Sequence, residues 1–337
     1  MNAVAMTHGK QRVCVVGATG TIGRATVRAL VRRGHDVVCL VRARAGVGGR
    51  LAMADLAQLL PGAAVRECDV TDATSLAQQG FHGEHFDAVV SCLASRTGAP
   101  KDAWAIDHRA HLEVLQAARQ AGVTHFVLLS AICVQKPLLA FQQAKLAFEH
   151  ELIDSGLRWS IVRPTAFFKS LSGQIGRVRA GKPFLVFGDG RLTACKPISD
   201  DDLGDYLAGC LQDEHRHNRI LPIGGPGPAI TPIEQGERLF ALFGQPPRFS
   251  HVPVRLLDVI IVMLTVLGLF IPPLRAKAGL ARIGRYYATE SMLALNPATG
   301  RYDAEATPAT GTQTLFDFYA DAARGTAAAE LGDHAVF

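Results

Sequence analysis

Short apolar runs alternate with longer amphipathic stretches along the first half of the chain, and glycines mark the joins. Arg12 to Val16 reads as a buried strand closed by Gly17, and Arg24 to Arg33 as the following helix, stopped at Gly34. The same alternation predicts strands over 36–41, 64–68, 87–93, 125–129 and 158–162. It predicts helices over 104–120 and 138–155, ended by Gly122 and Gly156. Strands and helices in such alternation imply a right-handed, mostly parallel sheet with helices on both faces. The expected fold class is therefore α/β, a doubly wound Rossmann sheet. Beyond residue 165 the rhythm loosens: a helix and a short strand over 167–190, a helix with an acidic start over 200–211, a strand over 220–225 and a helix over 232–243. The expected organisation is a sheet domain over 10–165 and a mixed region over 166–324. In the latter, remaining sheet elements interleave with a smaller C-terminal substrate-binding part, and the ends, 1–9 and 325–337, are expected to be disordered.

The run from Leu256 to Ile271, closed by Pro272 and Pro273, breaks the pattern by being apolar almost throughout, with Asp258 inside it. It is shorter than the roughly 20 residues that cross a bilayer. Three readings stay open: the wall of a pocket for a flat apolar ligand, a segment that dips into a membrane surface, or a core helix. Composition narrows the partners. The 337 residues are 48% hydrophobic, enough for a full core, and the formal net charge of +5 is spread without a basic run. That argues against nucleic acid and for a small anionic ligand. Seven cysteines (Cys14, Cys39, Cys68, Cys92, Cys133, Cys195 and Cys210) contain no C-x-x-C pair, so inert thiols in a reducing compartment are expected and no metal site. Residues 1–11 carry no apolar signal core, and a cytoplasmic protein is expected.

Candidate chemistry begins at the first turn. Gly17-Ala-Thr19-Gly20-Thr21-Ile22-Gly23 follows a strand and opens a helix, so its backbone can approach a pyrophosphate closely while the N–H groups of the helix start favour the charge. These residues form the expected dinucleotide cradle. Arg42 ends the second strand, where an acidic residue would select a free ribose hydroxyl. A guanidinium there suits a 2′-phosphate, with Arg24 as second partner, and NADPH is the expected cofactor. Asp69 and Val70 after the third strand, and Ala94 after the fourth, lie at carboxyl ends of strands, where such sheets bind ligands.

The fifth strand ends at Ser130, and the next helix carries Phe141 and Lys145 at i and i+4, hence on one face. Periodicity alone leaves Lys145 open between a surface lysine and a site lysine. The Ser130 and Lys145 placement resembles that of the short-chain dehydrogenases/reductases, whose tyrosine four residues before the lysine is here Phe141. No tyrosine in the chain has a lysine four positions later. Without a phenol to exchange a proton, ordinary alcohol–carbonyl chemistry is not expected. Pro164, Thr165 and Phe167 resemble the proline turn that borders the nicotinamide in atypical members of that group.

More narrowly, residues 129–145 and 163–174 resemble the divinyl chlorophyllide 8-vinyl reductases, a likeness that covers 10–325 and is most specific over 128–205. The resemblance implies NADPH-dependent reduction of the 8-vinyl group of a divinyl chlorophyllide or protochlorophyllide to ethyl, in (bacterio)chlorophyll biosynthesis, without flavin or iron–sulfur centre. It implies catalytic roles for Ser130 and Lys145, with Lys145 also directed to the nicotinamide ribose, and substrate contacts for Phe141 and Phe168. Hydride added to the outer vinyl carbon leaves a carbanion conjugated with the macrocycle, so a strong local acid is less necessary. Lys169, Arg177, Arg179, Lys182 and Arg191 are candidates for a pigment propionate. His108, His111, His125 and His251 are candidates for its magnesium only in principle. A peripheral contact at an inner membrane stays open with the apolar run. The rivals are a non-catalytic NADP(H)-binding regulator or assembly factor of NmrA-like type, and another bulky-alkene reductase.

Overall fold

The computed structural model of the protein describes residues 9–43, 53–271 and 273–325. The expectations for the two chain ends fall outside these residues, apart from Gly9 and Gly325. The first half supplies β1 (Arg12–Val16), α1 (Thr21–Arg32), β2 (Asp36–Val41), α2 (Met53–Leu59), β3 (Ala64–Glu67), α3 (Ala73–Ser75), β4 (Ala88–Ser91), α4 (Pro100–Ala103), α5 (His111–Gln120), β5 (His125–Leu129), α6 (Ala140–Ile153) and β6 (Arg158–Pro164). The second half supplies α7 (Phe168–Leu171), α8 (Ile175–Arg179), β7 (Phe184–Phe187), α9 (Asp200–Gly209), β8 (Arg219–Ile223), α10 (Pro232–Leu242), β9 (Phe249–Val252), α11 (Val254–Leu267), α12 (Pro273–Thr289), β10 (Ala294–Asn296), β11 (Arg301–Asp303) and α13 (Leu315–Arg324).

Seven strands form one sheet in the order β3-β2-β1-β4-β5-β6-β8, with every pairing parallel. The inner strands β1, β2, β4 and β5 are apolar on both faces because both faces are covered. Val13 and Val15 of β1, with Val37 and Cys39 of β2, enter a core closed by α1 and by Leu203 and Leu207 of α9. Cys14 and Val16, with Val38 and Leu40, enter the opposite core, closed by Val114 of α5 and Phe148 and Leu152 of α6. A third core, around Phe168, Phe184, Phe240 and Tyr319, holds the C-terminal part together. Gln135, in the loop after β5, ties that part to the sheet: it donates to the Leu293 carbonyl at 2.6 Å and accepts from the Leu295 N–H at 2.8 Å.

Two departures from the expected elements matter for function. The helix expected over 104–120 is not uniform, because Trp104–Ala110 is wound as a π-helix between α4 and α5. One extra residue per turn rotates the face that this segment presents to α6. The apolar run forms α11, none of whose residues is buried, which overturns the core-helix reading. No helix among the described residues is long and apolar enough to cross a membrane.

Candidate active site

The strand order reverses between β1 and β4, and the crevice outside their carboxyl ends is where a doubly wound sheet holds a ligand. A cleft of about 230 Å³ opens there and brings together Gly17, Thr19, Arg42, Asp69, Val70 and Ala94. Gly17 has φ +74°, and a Cβ on it would stand 2.5 Å from the Cys92 backbone. A Cβ on Gly23 would run into the Gly17 carbonyl oxygen. Gly17 thus lets the turn close against the end of β4, and Gly23 lets α1 start directly against the turn. Gly20 caps α1 with no side-chain hydrogen bond, and the first turn of α1 has no acidic residue. The N–H groups of Thr21, Ile22 and Gly23 are left to an anion, and the residues present fit a nucleotide phosphate.

Lys169 of α7 donates to the Thr21 hydroxyl at 3.1 Å, bringing a cation to this same end of α1. That corrects its expected place at a pigment mouth. Arg177 and Arg179 are likewise tied elsewhere, each donating at 2.7 Å to a backbone carbonyl, of Pro183 and Ala322 respectively. Arg24 faces Asp200, whose carboxyl is pushed up by burial and drawn down by Lys169 and Arg24. Asp69 accepts from the Thr71 N–H at 2.9 Å and its hydroxyl at 2.7 Å. Those bonds hold its carboxyl below the usual range, with Arg42 adding to the effect.

A second group lies where α6 meets the π-wound segment. Lys145 Nζ is 3.0 Å from Asp107 Oδ1, with the two side chains 11% and 0% exposed. The same oxygen accepts from the Ser95 N–H at 3.1 Å, in the loop after β4, so the pair is pinned to the crevice wall. Ser130 is buried, and its hydroxyl donates to Glu149 Oε1 at 2.5 Å. Glu149 also accepts from Arg163, through Nε at 3.2 Å and through Nη2. The Ser130 hydroxyl is thus engaged by a buried side chain, in a Ser130–Glu149–Arg163 chain. Phe141 lies against the loop after β4 and α12: a Cβ on Gly98 would stand 3.4 Å from its ring and 3.1 Å from Ile283.

Other expected contacts are drawn into the protein. Phe168 is buried with its ring 5.6 Å from that of Phe318, so its expected contact with substrate is corrected to a core role. Pro164 pairs with Ile223 in the sheet, and Thr165 donates its N–H to Ile223 and its hydroxyl to Lys196. Phe167 bridges to Ile198. His111 sits between the Ser91 hydroxyl at 2.8 Å and the Ile106 carbonyl at 2.9 Å, and burial lowers its pKa to about 4. His125 meets the Ser160 hydroxyl at 3.0 Å, and burial lowers it to about 3. His251 meets the Gly188 carbonyl at 2.8 Å. These are structural histidines. Sequence reasoning missed Asp107, Glu149 and the Lys169 contact. For Glu149 a signal existed, since it continues the i, i+4 stripe of Phe141 and Lys145.

A family model described as NAD(P)H-binding matches residues 17–214. The chain is 52% identical to divinyl chlorophyllide a 8-vinyl-reductase, chloroplastic, of Oryza sativa subsp. indica, over 96% of this chain and 82% of that one. It is 49% identical to the protein of the same name in Arabidopsis thaliana, over 95% and 79%. Among solved structures, "AtPrR2 with NADP+ and (+)pinoresinol" superposes with a TM-score of 0.65 at 18% identity, covering 93% of this chain and 98% of that one, which speaks to the fold alone. The names of the curated relatives place them in the chloroplast, and this corrects the expectation of a cytoplasmic protein. Near-half identity along almost the whole length, on a sheet with an NAD(P)H-binding glycine turn, makes this chain a member of the divinyl chlorophyllide a 8-vinyl-reductase family.

Proposed function

We propose that the protein reduces the 8-vinyl group of a divinyl chlorophyllide or protochlorophyllide to ethyl at the expense of NADPH. The observation that carries this reading is the identity with reductases of that name across 96% of the chain. When bound, a reduced nicotinamide supplies the hydride. Gly17, Thr19 and the first turn of α1 hold the phosphates, with Lys169 as an added cation. Arg42 selects the 2′-phosphate, and Asp69 and Ala94 border the adenosine side. Lys145, held by Asp107, orients the nicotinamide ribose. Phe141 offers an apolar surface beside the reacting group, where a phenol would stand in a carbonyl reductase. Ser130 braces Glu149 and Arg163, which support α6 and the exit of β6. The carbanion left on the macrocycle is delocalised, so positioning and exclusion of water are the main tasks of the protein.

Purified protein incubated with NADPH and divinyl chlorophyllide is expected to give the monovinyl absorption shift, with one NADPH oxidised per vinyl group reduced. Lys145→Ala is expected to abolish most of that turnover. Tight NADPH binding without any shift in absorption would point instead to the regulator or assembly-factor reading.

A further inference from the structure

α11 and α12 form a hairpin whose outer face has no cover among the described residues. Leu256, Val259, Met263, Val266 and Phe270 recur at helical spacing, and all are exposed. Val262 and Leu267 widen the stripe, and Leu269, Phe270 and Ile271 continue it over the tip, where Leu269 is 65% and Phe270 81% exposed. Such a patch in contact with water is unfavourable unless something covers it. The hairpin is not a loose segment. Arg285 pairs with Asp258, Arg282 donates to the Thr265 hydroxyl at 2.8 Å, and Arg275 donates to the Gly268 carbonyl at 2.7 Å. Its base is fixed to the body by the Tyr286 hydroxyl, which donates to the Cys133 carbonyl at 3.0 Å, and by Ile283 beside Phe141 and Gly98.

Charge decides what the patch fits. Between residues 254 and 289 stand Arg255, Arg275, Lys277, Arg282 and Arg285 against Asp258 alone, a net +4 beside the formal +5 of the whole chain. Arg255 and Lys277 are exposed and form no ion pair among the described residues. An apolar stripe along one helix, an apolar tip and a basic flank make the arrangement that lies in the headgroup layer of an anionic bilayer, with apolar side chains entering roughly 5–10 Å. A second copy of this chain would instead bring like charges together. We propose that the α11–α12 hairpin docks the protein on an anionic lipid surface, lying in the interface without crossing it. Ile283 of α12 and Phe141 both stand beside Gly98, so the docked hairpin is joined to the wall of the site that an apolar planar substrate would enter.

The test is flotation of the full chain with vesicles of phosphatidylcholine alone and of phosphatidylcholine with phosphatidylglycerol in equal parts. Co-flotation is expected only with the anionic vesicles, and it should weaken as salt rises. Phe270→Ser should lower the partition about tenfold or more. Arg255→Gln with Lys277→Gln should lower it about thirtyfold, at about 1 kcal/mol per basic side chain. Neither variant touches the cofactor cleft, so both should keep wild-type turnover on detergent-dispersed substrate, which also shows that they fold. Equal flotation of wild type and Phe270→Ser, or no flotation with either vesicle, would overturn the proposal. A dimer in light scattering that Phe270→Ser dissociates, without vesicle binding, would overturn it in favour of a contact between copies.

Discussion

Replacing Asp107 by asparagine tests whether the buried pair holds Lys145 in place. At 3.0 Å, and with an effective dielectric of about 20, the attraction between the two charges is about 5.5 kcal/mol. Removing one partner of such a pair typically costs about 3–5 kcal/mol, because the other charge is left buried without compensation. Unfolding entropy of about 2.1 cal/mol/K per residue amounts to about 0.7 kcal/mol/K over this chain, so the melting temperature should fall by roughly 4–7 °C. Asparagine still offers an oxygen to the Ser95 N–H, so the loop after β4 keeps its anchor and the loss reports on Lys145. A displaced ammonium should lower kcat by about a hundredfold.

The decisive comparison is the double variant Asp107→Asn with Lys145→Met. With both charges gone nothing is left uncompensated, so most of the lost stability should return while turnover stays at or below that of Asp107→Asn. Calorimetric melting and steady-state turnover on the four members of this cycle measure both quantities. A double variant no more stable than Asp107→Asn, or an Asp107→Asn protein with wild-type melting and turnover, would refute the reasoning.

Arg42→Ala should raise KM for NADPH by about 10- to 100-fold, the equivalent of about 1.5–3 kcal/mol for charge-assisted bonds, and leave the KM for NADH nearly unchanged; an equal loss for both cofactors would remove Arg42 from 2′-phosphate recognition. Acid should destabilise the fold through its buried neutral histidines. Burial lowers His111 to about 4 and His125 to about 3 in the folded state. Below the unfolded value of 6.5 the unfolded chain takes up protons that the folded one refuses. Stability is therefore lost as pH falls from that value toward the folded ones, by about 2 kcal/mol per histidine at pH 5. Urea midpoints at pH 7 and pH 5 should show this drop, and His125→Phe should shrink it by about half; an unaltered slope would point to other groups.

What was legible in the sequence was what is local or repetitive. A parallel strand buried on both faces is a near-continuous apolar run, so β1, β2 and β5 stand at the expected residues. The glycine turn carries much of its reason within seven residues, since a Cβ on Gly23 would meet the Gly17 carbonyl. The Lys145 partner was not legible. Asp107 reaches it from another helix, through a π-wound segment that no 3.6-residue period discloses. Phe168 was misread because an aromatic side chain after a proline turn suits a cleft or a core equally well, and Phe318, far along the chain, decides for the core. The apolar content of α11 states that it leaves water but not for what.

Phe141 is where the departure from carbonyl chemistry becomes testable. A phenol in that position serves reductions whose product oxygen must gain a proton as hydride arrives. Here the pair formed by Lys145 and Asp107 is already neutral as a whole, and the negative charge of the vinyl reaction spreads over a macrocycle, so no point donor is demanded. Restoring the tyrosine should therefore add nothing to turnover. Its hydroxyl would enter the contact with Ile283 and the Gly98 loop, and unless water reaches it there, the unpaired group costs about 1–3 kcal/mol. Phe141→Tyr should thus melt at a slightly lower temperature, with kcat unchanged or reduced and no new limb in the rate–pH profile. A several-fold gain in kcat, with a solvent isotope effect that appears only in the variant, would mean that proton delivery limits this enzyme and that the delocalised-carbanion argument is wrong.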